Sequence, residues 1–308
     1  MQRGTRLIWM AVSLLAVADL LLCHHLQLRF YHWTPLASTC AVVTAIGLFY
    51  HLTGRSAVLA RAAYWTLLWL LFVNAGTVLI YIAAACGGTA HDGSLAAADA
   101  ALGFDWRGWY DFLAPYRGLR FALWLAYSSL FPQILLSIFW FSFAGRDDSN
   151  YELLLTIIVS LLATTAIFLS FPAIGHQTPG RELEIAALAT LRAGGPLSFD
   201  LSQLQGLISF PSYHTVLAVL LTHAHRGSRL RWPIAALNGL MLFSIPIFGG
   251  HYLIDMIAGA AVAGLAIAVT TAACRGFKCA GTGYIVEQAT LPHALSEQSP
   301  IAARPTIR

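Results

Sequence analysis

Charge is what this chain has least of. Of its 308 residues only 10% are Asp, Glu, Lys or Arg, and Lys278 is the single lysine among 18 basic residues. Such a chain has neither the basic stripes of a nucleic-acid binder nor the surface of a water-soluble domain, so nucleic acid is excluded as a partner. Cysteine is scarce too. Cys23, Cys40, Cys86, Cys274 and Cys279 are odd in number and scattered, which excludes a disulfide framework and zinc-ligand spacing. They read as bystanders, with acylation of Cys274 or Cys279 the minor alternative. No metal and no cofactor is expected.

What fills the sequence instead is apolar: 58% of residues are hydrophobic and the mean hydropathy is +0.68. The solvent of such a chain is mostly lipid, and about 20 apolar residues at helical rise cross a hydrocarbon core. Eight stretches qualify as candidates: residues 7–23, 36–52, 61–85, 119–142, 152–171, 212–225, 232–248 and 251–273. The expected fold class is therefore all-α, a polytopic transmembrane helical bundle. The sixth stretch is short, starting at the Pro211 turn and meeting polar residues by His223. The N-terminal stretch after Arg3 and Arg6 lacks a small-x-small cleavage site and reads as a retained helix rather than a signal peptide.

Basic residues stay on the cytoplasmic side. With the N-terminus inside, Arg3, Arg6, Arg55, Arg61, Arg146, Arg226, Arg229, Arg231, Arg275, Lys278, Arg304 and Arg308 fall on that side, 12 of the 18. Both termini are expected to be cytoplasmic, in a multi-pass protein of a plasma or inner membrane. Residues 1–60 would form two N-terminal transmembrane helices, 61–275 a core with outer loops 86–118 and 172–210, and 276–308 a disordered cytoplasmic tail. The first outer loop mixes Asp92, Asp99, Asp105 and Asp111 with Phe104, Trp106, Trp109, Tyr110, Phe112 and Tyr116. That mixture suits an interfacial amphipathic helix, favoured as a structural collar over a lid. In the second loop, residues 182–193 predict a short helix, with Glu182 and Glu184 in its first turn and Gly194 after its last.

Ionisable groups at the depth of these helices are costly and point to chemistry. Two segments hold them: Phe210-Pro211-Ser212-Tyr213-His214-Thr215, and Gly249-Gly250-His251-Tyr252-Leu253-Ile254-Asp255. His251 and Asp255 are spaced i to i+4 and share one helix face. A carboxylate bonded to one imidazole nitrogen fixes the tautomer and leaves the other nitrogen as nucleophile or base. His214 follows a Pro-Ser turn into a helix, where early amides favour a phosphate oxygen. One histidine attacking while the other donates a proton is what phosphoryl transfer through a phosphohistidine requires. The bland reading is a buried polar network lining a transporter cavity. Among the other histidines, His24, His25, His32, His51, His91 and His293 read as interfacial. His223 and His225 diverge at i to i+2 and, with Arg226, read as an anionic-headgroup contact rather than a metal site.

At these residues the sequence resembles the type 2 phosphatidic acid phosphatase superfamily, whose signatures are K-x6-R-P, P-S-G-H and S-R-x5-H-x3-D; Leu102-Gly103-Phe104-Asp105-Trp106 is similar to a loop phrase of its bacterial members. Within it, Phe210-Pro211-Ser212-Tyr213-His214, bulky where phosphatases have Gly, and His251-Tyr252-Leu253-Ile254-Asp255 are similar to the branch containing inositol phosphorylceramide synthases. The resemblance implies a six-helix phosphatase-type core, with His251 the nucleophile, Asp255 its orienting partner and His214 the general acid. Two family cations are missing: Ile245 stands where the third signature has Arg, and no K-x6-R-P occurs. The candidates to replace them are Arg181, first, with His176, Arg120 and the backbone donors of Ser212 and Tyr213. The expected activity is a metal-independent lipid phosphotransferase or phosphatase at the outer membrane face, with a phospholipid donor and a lipid alcohol or water as acceptor. The alternatives are a plain lipid phosphatase acting on phosphatidate or a polyprenyl diphosphate, and a non-enzymatic lipid or solute transporter with a histidine relay.

Overall fold

A computed structural model describes residues 2–289, whose elements are nearly all helices. In chain order these are α1 (Gln2–Leu26), β1 (Leu28–Tyr31), α2 (Thr34–Thr53), α3 (Ala57–Cys86), α4 (Asp92–Ala101), α5 (Trp106–Leu113), α6 (Arg117–Ser128), α7 (Leu130–Phe143), α8 (Asp147–Ser170), α9 (Glu182–Ala193), β2 (Leu197–Asp200), α10 (Tyr213–Ala224), α11 (Arg231–Phe248) and α12 (Leu253–Ala289). Residues Met1–Thr270 form one compact unit. α12 continues past residue 275, where the disordered tail was expected to begin; residues 290–308 of that tail, with His293, lie outside the described residues.

Local chemistry sets the boundaries. Gly54, at a φ of 65°, ends α2, and the Ser56 hydroxyl accepts the Leu59 amide to start α3. The Asp105 carboxylate accepts the Arg107 amide at the start of α5. The short helix expected at 182–193 is α9, followed by Gly194 at a φ of 74°.

Six described helices, α1, α2, α3, α8, α11 and α12, are long and apolar enough to cross a membrane. The chain is a multi-pass membrane protein. The stretch expected as one helix over 119–142 is instead α6 and α7, bent by 50° at Ser129, and the pair would make a seventh span. Ser129 caps the break, its hydroxyl donating to the Ala126 carbonyl. The stretch expected at 212–225 is corrected more strongly: α10 has 12 residues, about 18 Å at 1.5 Å per residue, against a hydrocarbon core of about 30 Å. α10 therefore starts inside the bundle, and with it His214.

The main core joins α1, α3, α7, α8 and α10 through side chains such as Leu68, Phe72, Phe141, Ile157 and Leu221. α2 packs on α3 but buries none of its own residues, leaving Val42, Ile46 and Phe49 exposed for lipid. The apolar pattern of the sequence carries no mark of a two-stranded parallel sheet that the fold contains. β1 pairs with β2 from Leu28↔Leu197 to Tyr31↔Asp200, and Phe30 packs on Tyr81 and Phe199. This sheet ties the N-terminal helices to the segment that leads into α10.

Candidate active site

The turn between α11 and α12 carries His251. Asp255 lies one helical turn further, fully buried, and its Oδ2 faces His251 Nδ1 at 3.3 Å. The same oxygen accepts the Tyr252 amide at 2.9 Å and the Ser209 hydroxyl at 3.5 Å, while Oδ1 is buried without a partner. A carboxyl oxygen left unsatisfied in a dry interior costs about 1–3 kcal/mol. The other side of the imidazole faces Gly249, where a Cβ would lie 3.2 Å from Nε2. Glycine at that position leaves Nε2 open towards a cavity of about 310 Å³ lined by Gly249, His251 and His214.

His214 is in the first turn of α10, which Ser212 caps by accepting the Thr215 amide at 3.4 Å. Its ring lies flat against Tyr127, with centroids 4.3 Å apart and planes 13° apart. Tyr127 stands at the end of α6, and the α6–α7 bend leaves it against this imidazole. Burial, with His251 nearby, pushes the His214 pKa down to about 3. His251 is pushed down to about 4 by burial first and by Arg181 second, with Glu184 opposing. Both imidazoles are thus neutral in the ligand-free protein.

The phosphate-binding candidates fare unevenly. Arg181 is buried beside the site but spoken for. Nε donates to Glu184 at 2.8 Å, Nη1 to the His176 carbonyl at 2.6 Å, and Nη2 to the Ile174 carbonyl at 2.9 Å and to Glu184. Of its five N–H groups, one on Nη1 remains. Glu184 offsets the desolvation of this cation and raises its pKa further. His176 is stacked on Trp106 at 4.2 Å and packed against Tyr252 at 4.4 Å, with Nε2 buried and unpartnered. Burial lowers its pKa, against the pull of Asp99 and Asp92. The Ser212 amide is not a free donor as expected, since it donates to the Asp255 carbonyl at 3.0 Å. The Tyr213 hydroxyl points away to the Ile157 carbonyl at 3.3 Å, so only its amide, at the head of α10, could meet a phosphate. Arg120 lies over the Tyr110 ring, 5.3 Å from its centroid, and is not brought to the site.

Two carboxylates that the sequence placed only in a collar bind the site's backbone. Asp99, buried on α4, accepts the Leu253 and Ile254 amides at 2.8 and 2.9 Å, and so caps α12 from a distant helix. Asp92 accepts the Ile174 and Gly175 amides, the latter at 2.7 Å. α5 contributes Trp106, whose indole N–H donates to the Pro246 carbonyl at 2.7 Å and satisfies one of the last four carbonyls of α11. These bonds hold α4 and α5 against the backbone of the site. The clue available in the sequence was the pairing of buried-type aromatics with Asp, but not the partners.

One histidine expectation changes. His225 is fully buried, between Ser137 (2.9 Å) and Ser228 (3.0 Å), and contacts no headgroup. His91 stacks on Phe171 at 4.0 Å, and His32 pairs with Asp200 at 2.9 Å, so both have protein partners. Among the described residues, no group of three or more His, Cys, Asp or Glu is placed to hold a metal ion.

A family model described as the PAP2 superfamily matches residues 93–269, more than half the chain and the whole of α5 to α11. Comparison with curated proteins and with solved structures gives no match.

Proposed function

This chain belongs to the PAP2 superfamily, and from that premise we propose that it is a membrane lipid phosphotransferase working through a phosphohistidine on His251. The carrying observation is the buried His251–Asp255 pair opening, with His214, onto one cavity. In this reading Asp255 holds Nδ1–H, and Nε2 attacks phosphorus. The bond to the leaving oxygen breaks while His214 gives that oxygen a proton. In the second half the acceptor hydroxyl attacks phosphorus, the N–P bond breaks, and the hydroxyl proton passes to His214.

The charges around the site favour a particular kind of phosphate. Arg181 is balanced by Glu184, and Asp92, Asp99 and Asp255 surround the pair with further carboxyl groups. A monoanionic phosphodiester is easier to admit there than a phosphomonoester dianion. That supports transfer of a phosphoalcohol from a phospholipid to a lipid alcohol, as in the inositol phosphorylceramide synthase-like reading, over plain hydrolysis of phosphatidate. The arriving phosphate also supplies the negative charge beside which His214, neutral in the free protein, takes up from solvent the proton it then donates. The distribution of arginines supports an outer-face site with both termini cytoplasmic.

The test uses purified protein, headgroup-labelled phospholipids with and without ceramide or diacylglycerol, and a His251→Ala control. Label moving to the acceptor supports the proposal. Release to water alone, or faster turnover of phosphatidate than of any diester, makes the protein a phosphatase. Absence of His251-dependent turnover on every lipid removes the enzymatic reading and returns the transporter.

A further inference from the structure

The cavity at the imidazoles has a long wall that lies outside the family-matched region. α3 contributes Trp69, Phe72, Val73, Gly76, Thr77 and Ile80, a stripe at helical spacing that extends about 16 Å at 1.5 Å per residue. Its two ends differ. Next to Ile80, Tyr81 accepts the Gln205 amide at 3.0 Å and feels the charge of Glu184, and Gln205 and Glu184 line the cavity together with His214 and His251. Towards the other end, Trp65 donates to Asp147 at the start of α8, and Trp69 with Ile157 closes the cavity from a separate small apolar pocket. Between them α3 and α8 approach closely: a Cβ on Gly76 would lie 2.5 Å from Leu161 Cδ2, and both residues line the cavity. At about 310 Å³ the volume is at the lower end of ligand pockets.

We propose that this bore holds one unbranched alkyl chain of the lipid substrate, with its phosphate end at His251 and its terminal methyl towards Trp69, and that Gly76 and Trp69 set the chain's width and length. The inference rests on the proposed phosphotransfer reading for its polar end. The α3 wall is apolar except for Thr77, whose hydroxyl donates to the Val73 carbonyl, so each methylene that leaves water for it contributes about 0.8 kcal/mol, roughly a fourfold gain in affinity. The gain stops at the indole of Trp69, and branched chains are refused where α3 and α8 meet at Gly76. Gly76 and Trp69 both stand on α3, outside residues 93–269, whereas Leu161 of α8 lies within them.

The experiment measures binding of a graded series of n-alkylphosphonates to the protein in lipid nanodiscs, by calorimetry, beside turnover of lipids with matching chains. The expected result, referred to free aqueous ligand after subtraction of uptake by empty nanodiscs, is affinity rising about fourfold per methylene to a break and then level. The break moves to longer chains in Trp69→Ala and to shorter chains in Gly76→Leu. If Gly76→Leu does not fold, Val73→Phe serves, because Val73 lines the same cavity. Equal, unbroken chain-length dependence in wild type and variants overturns the inference, as does equal binding of a branched isoprenoid phosphonate. Turnover separates the two claims. A variant-sensitive break without His251-dependent turnover keeps the bore and removes the phosphotransferase, whereas turnover without a break does the reverse.

Discussion

Removing the Asp99 carboxylate should loosen the active-site turn from a residue 154 positions away in sequence from the amides it caps. Asp99 is 4% exposed and takes the first two amides of α12 at 2.8 and 2.9 Å. Hydrogen bonds to a charged acceptor are worth about 1.5–3 kcal/mol each, and a lost helix cap about 0.5–2 kcal/mol. Water can reach the half-buried Leu253 and Ile254 backbone once the side chain is gone, so about 2 kcal/mol is expected for Asp99→Ala. That is a roughly 30-fold rise in local opening. Asp99→Asn keeps one acceptor oxygen and should cost about half as much, a roughly fivefold rise. The assay is amide hydrogen exchange by mass spectrometry on peptides covering the start of α12. Because Asp255 and His251 are held by this same turn, Asp99→Ala should also depress kcat more than it raises KM. Exchange at α12 unchanged in Asp99→Ala would refute the cap, and with it the view that the α4–α5 collar positions the site.

Other expectations follow from the same geometry. Asp255→Asn keeps the shape but weakens the acceptor that orients His251 Nδ1, and kcat should fall by about 1000-fold or more while the melting temperature changes little. Tyr127→Leu removes the ring lying on His214 and should lower kcat by severalfold to about tenfold, with Tyr127→Phe close to wild type. Gly250 has a φ of 60°, and its missing Cβ would collide with Arg181 and the His176 carbonyl; Gly250→Ala should destabilise the protein and abolish turnover together, checked by thermal unfolding beside activity. For pH, His251 titrates near 4 in the folded chain against about 6.5 when free. The unfolded chain therefore takes up a proton that the folded chain refuses. Stability from this residue is whole above about pH 6.5 and is lost as pH falls towards 4, by about 3 kcal/mol in all. Melting temperatures at pH 7 and pH 5 should fall less in His251→Gln than in wild type, and an equal fall would contradict the assignment.

How far the sequence could be read depended on the range of the interactions. Apolar runs revealed the long helices because a membrane crossing is a local property of about 20 residues. The i to i+4 spacing of His251 and Asp255 was equally local, as were Glu182, Glu184 and Gly194 around α9. Where a partner lay far along the chain, nothing signalled it. Asp99 looked like one of several loop carboxylates until α12 was placed against it. Arg181 looked like a free cation because Glu184, three residues on, read only as a first-turn acid, and the carbonyls of Ile174 and His176 carried no sequence mark at all. The four-residue strands at 28–31 and 197–200 were too short to show alternation, and their pairing is created by the packing of the helices that bracket them. The Ser129 bend was masked by apolar residues on both sides. The length of α10 was partly visible in the polar residues from His223 onward, yet its depth depended on where the Pro211 turn sits in the bundle.

The most direct test is to mix the protein with a phosphate-labelled phospholipid, quench within the first turnover in base, and map the label by mass spectrometry. The account predicts an acid-labile, base-stable phosphoramidate on the peptide carrying His251, absent in His251→Ala and accumulating when the acceptor is withheld. Steady turnover with no label on His251, or label on another residue, would contradict it.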